Sequence, residues 1–133
     1  MAIALDPKTP IRFVLSSDRH LDAEDQTVWL IKPLLRSEMI AVMDKFEHID
    51  EGYVDKDNRD DAKKNLVEIS ELLNTYILGW ENFKDVNGKE VKYRTSKNKR
   101  DNINLDFIPV PLMSELVEGI FEANRLTDDE LKN

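Results

Sequence analysis

From Asp61 to Leu78 the chain carries its clearest folding instruction. Leu66, Ile69, Leu73, Tyr76 and Trp80 recur at steps of three, four, three and four. That spacing lines side chains along one stripe of an α-helix. Leu72 and Ile77 widen the stripe, while Lys63, Lys64, Glu68 and Glu71 take the opposite side. Gly79 is placed to close the helix, and Trp80 to begin a change of direction. Such a helix is not stable alone, so the rest of the chain must supply an apolar layer for its stripe.

The flanking segments offer that layer. Residues 1–10, with Pro7 and Pro10, read as a loosely held lead-in. Ile11 to Leu15 and Thr27 to Lys32 are rich in β-branched and aromatic residues and read as two strands, the second stopped by Pro33. The polar, acidic stretch Ser16–Gln26 joins them as the solvated connection of a hairpin covering residues 11–34. Residues 36–80 read as the helical part. Its first helix starts at Ser37 as N-cap, runs through Met39, Ile40, Val42, Met43, Phe46 and Ile49, and stops at Gly52. Residues 81–108 form a hairpin and a basic loop, with Asn87-Gly88 as a type I′ turn. Residues 109–133 return to helix, with Pro111 in the first turn, and the spacing Thr127 to Glu130 starts a last short helix. The fold class expected is α+β in a single domain: an N-terminal antiparallel β-hairpin packed on three to four helices, with a second small hairpin near residues 83–93.

Composition narrows the function. The 133 residues carry a formal charge of −8, which disfavours a general nucleic-acid coat or a polybasic membrane binder. There is no Cys, so disulfides, Cys-zinc sites and thiol nucleophiles are excluded. No apolar run approaches the roughly 20 residues of a membrane span, and the N-terminus has no signal-peptide pattern, so the expected location is the cytoplasm. His20 and His48 stand 28 positions apart, with no second His or Cys at ligand spacing from either. An EF-hand loop starting at Asp55 would place Arg59, Asp60 and Leu66 where an oxygen ligand, Gly and Glu are required. Neither a nucleophile elbow nor a glycine-rich phosphate loop is present. The expectation is a protein that is not an enzyme and takes no metal or cofactor.

Charge is unevenly placed. Lys89 to Arg100 carries a net +5, and Asp44 to Asp61 a net −5. Lys92, Arg94, Lys97, Lys99 and Arg100 therefore read as a charged interaction loop, and the opposed patches suit head-to-tail homo-oligomers.

Two stretches carry a family likeness. One is Leu78-Gly79-Trp80-Glu81-Asn82-Phe83-Lys84-Asp85-Val86-Asn87-Gly88-Lys89-Glu90-Val91. The other runs from Phe13 to Arg19 and from Thr27 to Leu34. With the helix from Pro111 to Phe121 and the acidic tail after it, the chain resembles the tail assembly chaperones encoded in the tail-gene region of long-tailed bacteriophages, over roughly residues 11–131. The resemblance implies a non-enzymatic protein of the host cytoplasm. Its partner would be the tape measure protein, with the tail tube protein as a second partner, and neither nucleic acid nor membrane would be bound. A groove for an amphipathic client helix needs adaptable apolar side chains, and the candidates are Trp29, Met39, Met43, Tyr76, Trp80, Met113 and Phe121. The alternatives are a structural virion component, such as a tail-completion or connector subunit, and an acidic regulatory or inhibitor protein.

Overall fold

The structure is a computed structural model that describes residues 1–53, 59–93 and 106–132. Its strands are β1 (Ile11–Phe13), β2 (Val28–Ile31) and β3 (Ile77–Glu81), and its helices are α1 (Arg36–Tyr53), α2 (Arg59–Tyr76) and α3 (Val110–Lys132). The strands form one antiparallel sheet in the order β1-β2-β3, and its inner face packs on the helices. The class is α+β, as the sequence indicates, with the expected N-terminal hairpin and three helices among the described residues.

β3 corrects the sequence reading. The helix was expected to run to Leu78 and close at Gly79, but α2 ends at Tyr76 and the chain enters the sheet at once. The Lys32 N–H donates to the Tyr76 carbonyl (2.9 Å), so β2 captures one of the carbonyls left free at the helix end. Gly79 sits inside the strand rather than at a helix stop. Along β2 and β3, Trp29 faces Trp80 and Ile31 faces Ile77, while Leu30 alone opposes Leu78 and Gly79. This β-bulge keeps Ile77 and Trp80 on the same face although they are three positions apart. Three is also a helical step, and for that reason the strand reads as a continuation of the helix.

Two rows of side chains cross the inner face: Phe13, Trp29 and Trp80, and beside them Ile11, Ile31 and Ile77. α2 presents Ile69, Leu72 and Leu73 to this layer, and α3 presents Met113, Leu116, Val117, Ile120 and Ala123. α3 comes close enough to β1 that a Cβ added at Gly119 would lie 3.1 Å from Phe13 Cε1 and 3.2 Å from Leu15 Cδ2. Asn124 ties the second layer to the first: its Oδ1 accepts the Leu34 N–H (2.7 Å), and its Nδ2 donates to the Ile120 carbonyl (2.8 Å). A buried amide satisfied on both ends costs little and fixes how α3 docks.

Three terminal details also differ from expectation. α1 begins at Arg36, so Ser37 lies within its first turn; Glu38 reaches back instead, accepting the Leu35 N–H (3.2 Å) and the Lys32 ammonium (2.9 Å). α3 runs unbroken through Thr127, since neither Gly nor Pro interrupts it there. The small hairpin is present, closed by Val91 N–H to the Phe83 carbonyl (2.7 Å), but only Gly88 of its turn has positive φ (+78°). The turn is therefore not type I′. Asp85 holds it, its carboxylate accepting the N–H groups of Asn87 and Lys89.

Candidate functional site

The residues proposed as a partner-binding surface separate into two groups. Trp29, Trp80 and Met113 are buried and belong to the core, so they are corrected as surface candidates. Their size is the reason: the inner face of a three-stranded sheet needs large side chains to meet the helices behind it. Trp29 stacks edge-on with Trp80, their ring centroids 5.8 Å apart, and Phe83 closes on both at 5.2 and 5.3 Å. The Trp80 indole donates to the Val91 carbonyl (2.7 Å), and the Tyr93 hydroxyl to the Ile77 carbonyl (2.9 Å), which holds the hairpin along the outer side of β3.

Met39, Tyr76 and Phe121 are half-buried at the margin of the core. Tyr76 has the Lys32 ammonium 5.8 Å from its ring centre, and burial pushes its hydroxyl pKa up. Met43 is 49% exposed. Sequence reasoning missed its neighbours Leu35, 44% exposed, and Ile40, 56% exposed. Leu35, Met39 and Met43 are spaced by four, so they form one row across the start of α1, with Ile40 alongside. Val42, on the inward side of the same helix, is sealed. α1 thus buries Val42 and packs Met39 partly against the core, while Leu35, Ile40 and Met43 beside them are left exposed. The signal was available in the sequence: Ile40 and Met43 lie off the Val42 face of the helix.

A second feature lies at the opposite end of β2. A cleft of about 350 Å³ is walled by the β1–β2 loop (Ser17, Asp18, Asp25, Thr27), by the segment after β3 (Asn82, Phe83, Lys84), by Leu112 of α3, and by Leu15 and Trp29. The loop was expected to be a solvated connection, but it is held tightly by side chains. Asn82, in the left-handed region at φ 61°, donates to the carbonyls of Glu24 (2.9 Å) and Gln26 (3.1 Å). The Thr27 hydroxyl donates to the Asn82 carbonyl (2.9 Å), and the Thr27 N–H to the Asp18 carboxylate (3.2 Å). Arg19 donates to the Val14 carbonyl (3.0 Å) and to Glu122 of α3 (2.9 Å), and lies over the Phe13 ring. Gln26 donates to the Leu21 carbonyl (2.9 Å). The carboxylates of Asp22, Glu24 and Asp25 gather on the exposed side of this loop.

Of the charged loop, Lys92 is exposed, while Arg94, Lys97, Lys99 and Arg100 lie outside the described residues, as does the acidic stretch from Asp55 to Asp57. His20 is exposed. No helix among the described residues is long and apolar enough to cross a membrane. Comparison with known proteins finds no family model, no curated protein and no solved structure that matches this chain.

Proposed function

We propose that the chain is a non-enzymatic assembly chaperone of a bacteriophage tail, holding an amphipathic helix of the tape measure protein before the tail tube forms around it. The observation that carries this reading is the set of exposed apolar side chains Leu35, Ile40 and Met43 at the start of α1, with Met39 half-buried at their edge. A client helix docks by laying its own apolar face on such a surface. Methionine side chains adapt to clients of differing shape, because they are unbranched and polarizable. The charge of −8 opposes aggregation of a chaperone that carries this surface. The resemblance of residues 11–131 to such chaperones, read from the sequence, is the second ground for this proposal.

Co-expression tests the proposal. With this chain present, the tape measure protein is expected in the soluble fraction and the two are expected to co-purify. A tape measure protein that pellets equally with and without the chain refutes it. Stoichiometric amounts of the chain in purified virions would instead make it a structural part, because an assembly chaperone leaves the particle.

A further inference from the structure

We infer that the bond between Asn87 and Gly88 is a self-modification site, a point of spontaneous deamidation that the 83–91 hairpin holds shut and that Asp85 guards. The inference stands whether or not the chain is an assembly chaperone.

The chemistry needs only the chain and water. The Gly88 nitrogen, having lost its proton to solvent, attacks the side-chain carbonyl carbon of Asn87. A cyclic succinimide closes, and the side-chain nitrogen leaves as ammonia, taking up a proton in place of the one lost. Water then opens the ring. Opening at the side-chain carbonyl gives aspartate, and opening at the main-chain carbonyl gives isoaspartate, in which the main chain runs through Cβ. No electrons are exchanged: amide and water become carboxylate and ammonium. Asn87 is the one asparagine of the sequence followed by glycine, which has no Cβ to hinder the approach. Both residues are exposed, and a Cβ built on Gly88 would meet no atom within 4 Å, so water reaches the bond.

The turn keeps the ring from closing. Neither Val86 nor Asn87 has positive φ, and the Gly88 N–H donates to the Asp85 carbonyl (3.0 Å), so residues 85–88 form a type I turn ending on Gly88 at φ 78°. At the position of Asn87 such a turn sets ψ to about 0°. Ring closure needs the Gly88 nitrogen eclipsed with the Asn87 side chain about the Cα–C bond, and this ψ swings it away. The N–H that must be lost is also the one engaged by the Asp85 carbonyl. Asp85 fixes the arrangement: its carboxylate accepts the N–H groups of Asn87 (2.9 Å) and Lys89 (3.0 Å), and its own N–H donates to the Lys89 carbonyl (2.9 Å). Attack therefore waits for the hairpin to open.

The isoaspartate product does not close again. It adds a main-chain atom to the loop, so the Lys84–Glu90 bridge and the bond from the Val91 N–H to the Phe83 carbonyl lose their register. The Val91 carbonyl is the acceptor for the buried Trp80 indole, and the change reaches the core through it.

The test incubates the full chain in mildly alkaline buffer beside a synthetic peptide of residues 83–91, a reference too short to hold a hairpin. Peptide mapping by mass spectrometry separates the asparagine, aspartate and isoaspartate forms. The peptide is expected to convert at Asn87, and the folded chain at least about tenfold more slowly, because conversion draws on the opened hairpin alone. Asp85→Ala is expected to quicken conversion in the chain about fivefold, the scale of two lost hydrogen bonds at an exposed site. Asp85→Asn, whose amide oxygen still accepts, is expected to stay near the wild-type rate. The isoaspartate form, once isolated, is expected to show faster amide exchange at Val91. Five outcomes overturn the inference: no conversion at Asn87 in either sample, equal rates in chain and peptide, no acceleration by Asp85→Ala, Asp85→Asn as fast as Asp85→Ala, or an isoaspartate form with Val91 as protected as before.

Discussion

Replacing Asn82 by Gly and, separately, by Ala tests how the end of β3 holds the β1–β2 loop. Asn82 does two jobs. Its backbone occupies φ 61°, which costs an ordinary L-residue energy, and its amide donates to the carbonyls of Glu24 and Gln26. Asn82→Gly keeps the backbone free to adopt this angle but removes both side-chain bonds. At about 0.5–1.5 kcal/mol net for each bond, and with water able to reach the freed Glu24 carbonyl, the expected loss is about 1–2 kcal/mol. Asn82→Ala removes the same bonds and adds the left-handed penalty, for a further loss of about 1 kcal/mol. Urea unfolding, with stability taken from the midpoint and slope, measures both, and amide exchange at Thr27 reports whether the loop has loosened. Gly and Ala variants of equal stability would refute the backbone argument. Two variants as stable as the wild type, with Thr27 still protected, would refute the clamp.

Other expectations follow from the same geometry. Gly119→Val is expected to destabilise by about 2 kcal/mol or more in thermal or urea unfolding, because its branches would meet Phe13 and Leu15, already 3.1 and 3.2 Å from the position of a bare Cβ. The Glu38 carboxyl is held below its ordinary pKa, first by the hydrogen bond from Lys32 and then by the Leu35 N–H. A carboxylate with a lowered folded pKa adds stability that is full above the unfolded value, here 4.5, and is lost as pH falls through the folded value. Glu38→Gln should therefore remove that part of the acid sensitivity of stability while costing less than about 1 kcal/mol at neutral pH. Asp85→Ala should loosen the 83–91 hairpin, seen as faster amide exchange at Asn87 and Lys89, because its carboxylate accepts both N–H groups.

How much of this was legible depends on whether a segment obeys one period throughout. The α2 stripe as far as Tyr76 and the buried face of α3 repeat at helical spacing, and both segments are helix. β1 and β2 alternate and carry β-branched and aromatic residues, so the hairpin is readable too. β3 was hidden because its bulge turns a two-residue alternation into a three-residue step, and Ile77 and Trp80 then continue the α2 pattern. The ordered loop was hidden because its determinants are far apart in sequence: Asn82 fixes Glu24 and Gln26, and Arg19 reaches Glu122. Candidate surface residues were harder still. Trp29, Trp80 and Met113 have the chemistry of an interface and lie in the core, and only Met43, with Met39 at its edge, belongs to the exposed row. Large apolar side chains serve either place, and tertiary packing decides which.

A surface variant tests whether the exposed apolar side chains of α1 hold a client helix. Ile40→Lys combined with Met43→Glu changes two exposed side chains, so the thermal midpoint should stay near that of the wild type. Co-expressed with the tape measure protein, the wild-type chain is expected to keep the client in the soluble fraction, and the folded double variant to leave it in the pellet. A folded double variant that solubilises the client as well as the wild type would show that this surface is not the client's dock.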